Sequence, residues 1–187
     1  PEVVSLAGGM PNLKDLPLDK LAASAEKLVR NHGAQAMQYG SGQGWEVLRE
    51  RITEVMSYDG IVGADPDDVV VTTGSQQALD LVTELFVNPG DVILAEAPSY
   101  VGALGVFRAR QADIVHVPMD EHGIIPEALE ETIRDVRSSG RTIKFIYIIP
   151  NYHNPAGVTL SAERRPIIAE ICLREHVLIV EDNPYGL

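Results

Sequence analysis

Apolar and polar positions along the chain change their period near residue 69. Upstream, apolar residues recur at helical spacing: Leu18, Leu21, Ala22, Ala25, Leu28 and Val29 form one stripe that ends near Gly33. "GWEVLRERITEVMSYDG" is a second amphipathic segment, stopped by Gly60. The opening "PEVVSLAGGMPNLKDLP", rich in Gly and Pro, reads as an extended arm. Downstream, continuous apolar runs alternate with helical patterns. "DVVVTT", "DVILAEAP", "DIVHVPMD", "IKFIYIIP" and "VLIVEDNP" read as strands. Between them "SQQALDLVTELFV", "YVGALGVFRARQA", "PEALEETIRDVRSSG" and "SAERRPIIAEICLREH" read as helices, with Pro126 at the start of the third and Ser161 and Arg164 flanking the first turn of the fourth. Strands that are apolar throughout are buried on both faces. The pattern therefore predicts an α/β fold with a mostly parallel sheet, whose ligands gather at the carboxyl ends of the strands.

Composition narrows the function classes. The 187 residues suit about one domain, and the formal charge of −12 argues against a nucleic-acid or anionic-membrane partner, either of which favours a basic face. The single cysteine, Cys172, excludes an internal disulfide and lies in an apolar-periodic segment, where a buried inert thiol is the expectation. No apolar run approaches membrane-spanning length and no leader-like segment opens the chain, so the sequence predicts a soluble, cytoplasmic protein.

The unusual residues collect at the predicted carboxyl ends: "TTGSQQ", "AEAPSY", "IPNYHNPAG" and "VEDNPYG". Each has a bland reading when taken singly. Gly74-Ser75 is also a turn with an N-cap, Tyr100 a packed core aromatic, Asn154 an Asx-turn before Pro155, Asp182 a turn residue before Asn183-Pro184, and Tyr185 a surface tyrosine. The first of the four stretches is the most suggestive. A strand that ends on Gly-Ser and opens a helix presents free backbone N–H groups at a positive dipole end, a place to hold an anion.

Together, with "YGSGQGWEVLRERI" and in this order, the motifs resemble the large domain of fold-type I enzymes dependent on pyridoxal 5′-phosphate (PLP), the aspartate-aminotransferase-like class I and II aminotransferases. The "GSQQALD" and "NPAG" wording is nearest the 2-aminoadipate and kynurenine branch. The resemblance covers essentially the whole chain. It implies a three-layer α/β/α large domain, with the arm and first helix over residues 1–35 and the N-terminal part of the PLP-binding domain over 36–187. It implies that the backbone N–H groups of Ser75 and Gln76, with the Ser75 hydroxyl, hold the PLP phosphate, and that Gly74 allows the close approach. By the same resemblance Tyr100 stacks on the pyridine ring, Asp182 pairs with the ring nitrogen, and Asn154 and Tyr185 donate to the phenolic oxygen. Tyr39 would reach the cofactor of a neighbouring subunit, making the functional unit a homodimer, and Gly8-Gly9, Gly9 in particular, would line the substrate entrance. His153 has no assigned role, and Trp45 is expected to be a packing anchor.

Such chemistry needs a lysine to form a Schiff base with PLP. The four lysines present are Lys14, Lys20, Lys27 and Lys144; the first three precede the motif set, and Lys144 opens a strand at its amino end. By the family's layout the lysine follows Asp182 by roughly thirty residues, and the arginine for the substrate carboxylate comes later still, in a small C-terminal domain. The chain thus reads as a truncated domain, inactive alone, whose sheet keeps an unpaired edge. The expected activity of the whole is amino transfer from an amino acid to a 2-oxo acid. A PLP-dependent lyase of the same fold and an aminotransferase-like sensor domain of a transcription regulator are the alternatives. A nucleotide-binding module would need a G-x-G-x-x-G or P-loop motif, and neither is present.

Overall fold

The computed structural model describes residues 13–186, in two compact units that divide between Gly42 and Gln43. In the first, helix α1 (Leu18–Ala36) carries Asp19 in its opening turn, where a carboxylate complements the helix dipole. It runs past the predicted end at Gly33, with a break at His32, whose φ is −134°. Its apolar stripe stays exposed and α1 buries no residue.

The second unit begins with α2 (Glu46–Tyr58), followed by a single 3₁₀ turn, Pro66–Asp68. Buried Arg49 of α2 clasps that turn, its Nη1 donating to the Pro66 carbonyl at 2.6 Å and to Asp67 Oδ1 at 2.9 Å. Then come α3 (Ser75–Phe86), β1 (Val92–Ala97), α4 (Val101–Ala109), β2 (Asp113–Asp120), β3 (Gly123–Ile124), α5 (Pro126–Ser138), β4 (Ile143–Ile148), α6 (Arg164–Arg174) and β5 (Leu178–Glu181). The sheet order is β3-β2-β1-β4-β5, parallel throughout except for the short β2–β3 hairpin. The hairpin was not foreseen in the sequence, because two residues are too few to carry a period.

Strand alternation separates two cores. Val92 and Leu94 of β1 face α5 and α6, packing with Ile146, Ile148, Leu129, Ile133, Ile168 and Cys172. Ile93 and Ala95 face α3 and α4, packing with Leu79, Leu104, Phe107, Phe145 and Tyr147. Helices thus cover both sides of β1, which is why its sequence is apolar without alternation. In α5, Leu129, Ile133 and Val136 recur at helical spacing and are all buried. Cys172 is buried, and burial pushes its thiol up to about 11, as expected of an inert core cysteine. Among the described residues no helix is long and apolar enough to cross a membrane.

Two expectations fail. "DVVVTT" is not a strand: Val69 is extended, but the segment joins no ladder, and Val70 is 55% exposed. β-Branched residues favour extended backbone, yet a strand also needs a pairing partner. Here Val71 N–H donates instead to the Gln43 carbonyl at 2.8 Å. Trp45 is no packing anchor either; it caps α2 with about half its surface exposed.

Candidate cofactor site

Chain order reverses direction at one place in the sheet. From β1 the chain passes to β2 on one side, then crosses to β4 on the other. The crevice beyond the carboxyl ends of β1 and β4 is therefore the topological switch point, where open α/β sheets bind ligands. The segments that follow β1, β4 and β5 all leave the sheet at this edge, because these strands are parallel.

α3 runs back along the sheet, so its N-terminus lies at the same edge. Gly74 precedes it with φ +87° and ψ 163°, backbone open only to glycine, and it offers no side chain to cap the helix. The first-turn N–H groups of Ser75 and Gln76 lack an intrahelical acceptor, as at every helix start. The Gln76 side chain reaches across, its Nε2 donating to the Gly102 carbonyl at 3.3 Å, and so joins the starts of α3 and α4. Tyr100 caps α4 and packs beside the Phe107 and Tyr147 cluster. Its ring lies over Gly102, where any Cβ would collide with it.

Asp182 follows β5 directly, and its N–H donates to the Ile148 carbonyl at 2.9 Å, extending the β4–β5 ladder by one bond. Its Oδ2 accepts the hydroxyl of Tyr147 at 2.6 Å. Tyr147 is fully buried, and its ring stands edge-on to Phe107 with centroids 5.4 Å apart. Burial first, then the Asp182 carboxylate, push the Tyr147 phenol far above its ordinary range, so it remains a donor at any working pH.

Asn154 lies half-buried in the loop after β4, and Tyr185 half-exposed in the turn after β5. A relay of polar contacts ties these two segments together. Arg165 Nη2 donates to Asn151 Oδ1 at 2.8 Å, Asn151 Nδ2 to Asn183 Oδ1 at 2.8 Å, and Asn183 Nδ2 to Asp59 of α2 at 3.3 Å. His153, the residue left without a role, is buried beside Glu96, each only 1% exposed. Its Nδ1 accepts the Ala156 N–H at 3.3 Å, which assigns the neutral ring's proton to Nε2, 3.0 Å from Glu96 Oε2 but not aimed squarely at it. Glu96 Oε2 also accepts the Ile149 N–H at 2.8 Å. This buried carboxylate at the end of β1 thus anchors the loop that carries Asn154.

The switch-point edge therefore gathers Gly74, Ser75, Gln76, Tyr100, Asn154, Asp182 and Tyr185. Tyr39 belongs to the first unit and is fully exposed. Gly9, with Gly8, lies outside the described residues. Lys144 sits at the opposite edge, its Nζ paired with Asp91 at 3.2 Å just before β1. Sequence reasoning missed Glu96 and Tyr147. Their signal was a polar atom inside an otherwise apolar strand run, in "VILAEAP" and "KFIYIIP".

Comparison with known proteins agrees with this fold. The family model for aminotransferase class I and II matches residues 1–187. The chain is 39% identical over 185 residues to aromatic-amino-acid aminotransferase 1 of Thermococcus litoralis, covering 99% of this chain and 44% of that protein. It is 35% identical to the 2-aminoadipate transaminase of Thermus thermophilus, with the same coverage of both. The crystal structure of Pyrococcus horikoshii kynurenine aminotransferase, a complex with PMP, superposes with a TM-score of 0.88 at 36% identity over 96% of this chain and 44% of that one. The chain spans less than half the length of each of these relatives. With its family model matched over residues 1–187, the chain belongs to the class I and II aminotransferases.

Proposed function

We propose that the protein is a PLP-dependent aminotransferase and that this chain forms the N-terminal part of its cofactor-binding half. The observation that carries the reading is the convergence of four chemically distinct groups on one sheet edge. These are an uncapped helix start behind Gly74, an aromatic ring at Tyr100, a carboxylate at Asp182 with one oxygen already held, and hydrogen-bond donors at Asn154 and Tyr185. That set matches a phosphorylated, hydroxylated pyridine.

When bound, the pyridine supplies an electron sink for the bond broken at the substrate's α-carbon. The chain's own residues bind and orient it. Ser75 and Gln76 would hold the phosphate dianion with backbone N–H groups and the dipole of α3. Gly102 leaves space for the Tyr100 ring, which would cover one face of the pyridine. Asp182 would hold a proton on the ring nitrogen, and Asn154 and Tyr185 would donate to the phenolic oxygen. Tyr39, exposed in the first unit, would complete the phosphate site of a second subunit in a homodimer. By the family's layout the lysine that binds the cofactor covalently would follow Asp182, in the rest of the protein; Lys144 is paired with Asp91 at the far edge.

Substrates of the whole protein would be an amino acid and a 2-oxo acid. Relatives named for aromatic amino acids, 2-aminoadipate and kynurenine set the panel to try. The full-length protein, supplied with PLP, ¹⁵N-labelled donors from that panel and 2-oxoglutarate, is expected to produce ¹⁵N-glutamate detectable by mass spectrometry. Loss of a donor's α-hydrogen or carboxylate without label transfer would point instead to a lyase.

A further inference from the structure

We infer that Tyr147 is a positioning residue for the cofactor's ring nitrogen: by donating its hydroxyl to Asp182 Oδ2 it fixes the carboxylate and keeps the shared proton on the nitrogen. This rests on the reading of Asp182 as the partner of that nitrogen. The hydroxyl lies 2.6 Å from Oδ2, the short distance of a charge-assisted bond. Its direction is set from two sides, because Tyr147 sits on β4, between β1 and β5, with its ring fully buried against Phe107. Asp182 is held by its own backbone, through the N–H bond to Ile148. The bond engages Oδ2 alone, so the second carboxylate oxygen, Oδ1, is not used by Tyr147.

The consequence follows from where a proton can sit between a carboxylate and a pyridine in a partly desolvated site. Two forms compete: the charged pair, with the proton on nitrogen, and the neutral pair, with the proton on Asp182. A hydrogen bond donated to the carboxylate stabilises only its ionised form, so it favours the charged pair. Tyr147 cannot take the proton itself, since burial and the neighbouring carboxylate hold its phenol neutral. The hydroxyl therefore selects the protonated ring, the form that withdraws electrons.

The test uses full-length protein loaded with PLP labelled with ¹⁵N at the ring nitrogen, whose chemical shift reports the proton's location independently of turnover. In the unmodified protein the resonance is expected at a pyridinium-like position. Tyr147→Phe, which keeps the ring, should move it toward the free-base position and weaken PLP binding several-fold. An unmoved resonance in Tyr147→Phe overturns the inference. If that variant does not fold, Tyr147→3-fluorotyrosine, a stronger donor of nearly the same size, should shift the resonance in the opposite direction, and no shift again overturns it. Asp182→Asn separates the role of Asp182 from that of Tyr147. If it leaves the resonance pyridinium-like, the reading of Asp182 fails. If it abolishes that character while Tyr147→Phe does not, only the role of Tyr147 fails.

Discussion

Gly74 holds the most demanding backbone position at the site. With φ +87° and ψ 163° it lies in a region that side chains with a Cβ scarcely enter, although open space surrounds it. The constraint is therefore conformational rather than steric crowding. Gly74→Ala is expected to cost about 1–3 kcal/mol and to tilt the first turn of α3 away from the phosphate proposed to bind there. Denaturant unfolding of the full-length protein should show the stability loss, and a PLP titration should show weaker binding; unchanged values for both would contradict the role given to this turn. Glu96 and His153 work at the same scale but differently. They are buried polar groups that fix a loop, so their influence on Asn154 is through placement. Neither could be interpreted from the sequence alone. A glutamate in an apolar strand signals a buried partner without saying which, and the histidine that meets it is 57 residues away in the chain (153 less 96).

At the scale of elements, one cluster of charge holds the edge hairpin to its helix. Arg164, at the start of α6, forks onto both oxygens of Asp120 at 2.6 and 2.8 Å and also donates to the carbonyls of Gly123 and Ile124. The Arg164 guanidinium, followed by the His122 N–H, holds the Asp120 carboxyl down at about 2, below the ordinary carboxylate value. A carboxyl depressed on folding contributes stability above its unfolded value of about 3.9, and the contribution is lost as pH falls through the folded value. Asp120→Asn should therefore flatten the fall in urea midpoint between about pH 4 and pH 2, and an unaltered slope would contradict the assignment. Element type was largely legible: β1, β2, β4 and β5 and their helices follow the apolar runs because packing and period agree there. The segment at residues 69–72 misled because β-branched composition reports backbone preference and not the presence of a partner strand. The β3 hairpin, two residues long and braced by Arg164, left no periodic trace at all.

For the molecule as a whole, function depends on edges more than on the core. The two apolar layers around β1 make a platform, and the segments that carry Tyr100, Asn154, Asp182 and Tyr185 leave it at one rim. β5 is the outer strand among the described residues, with Leu178 and Ile179 exposed, which suits a chain that covers less than half of its relatives. The rim's residue types were legible in the sequence as four motif-bearing turns. What the sequence could not give was the parallel register and chain reversal that bring those turns to one crevice, or the Tyr147 hydroxyl that braces Asp182 from inside the core. The rim is proposed to hold PLP for amino transfer. The most direct test is the absorbance of the purified full-length protein before and after glutamate is added. A band near ~420 nm is expected to fall while one near ~330 nm rises, with the conversion impaired in Asp182→Ala. Absence of any such band even after PLP is supplied would contradict the cofactor assignment and every role built on it.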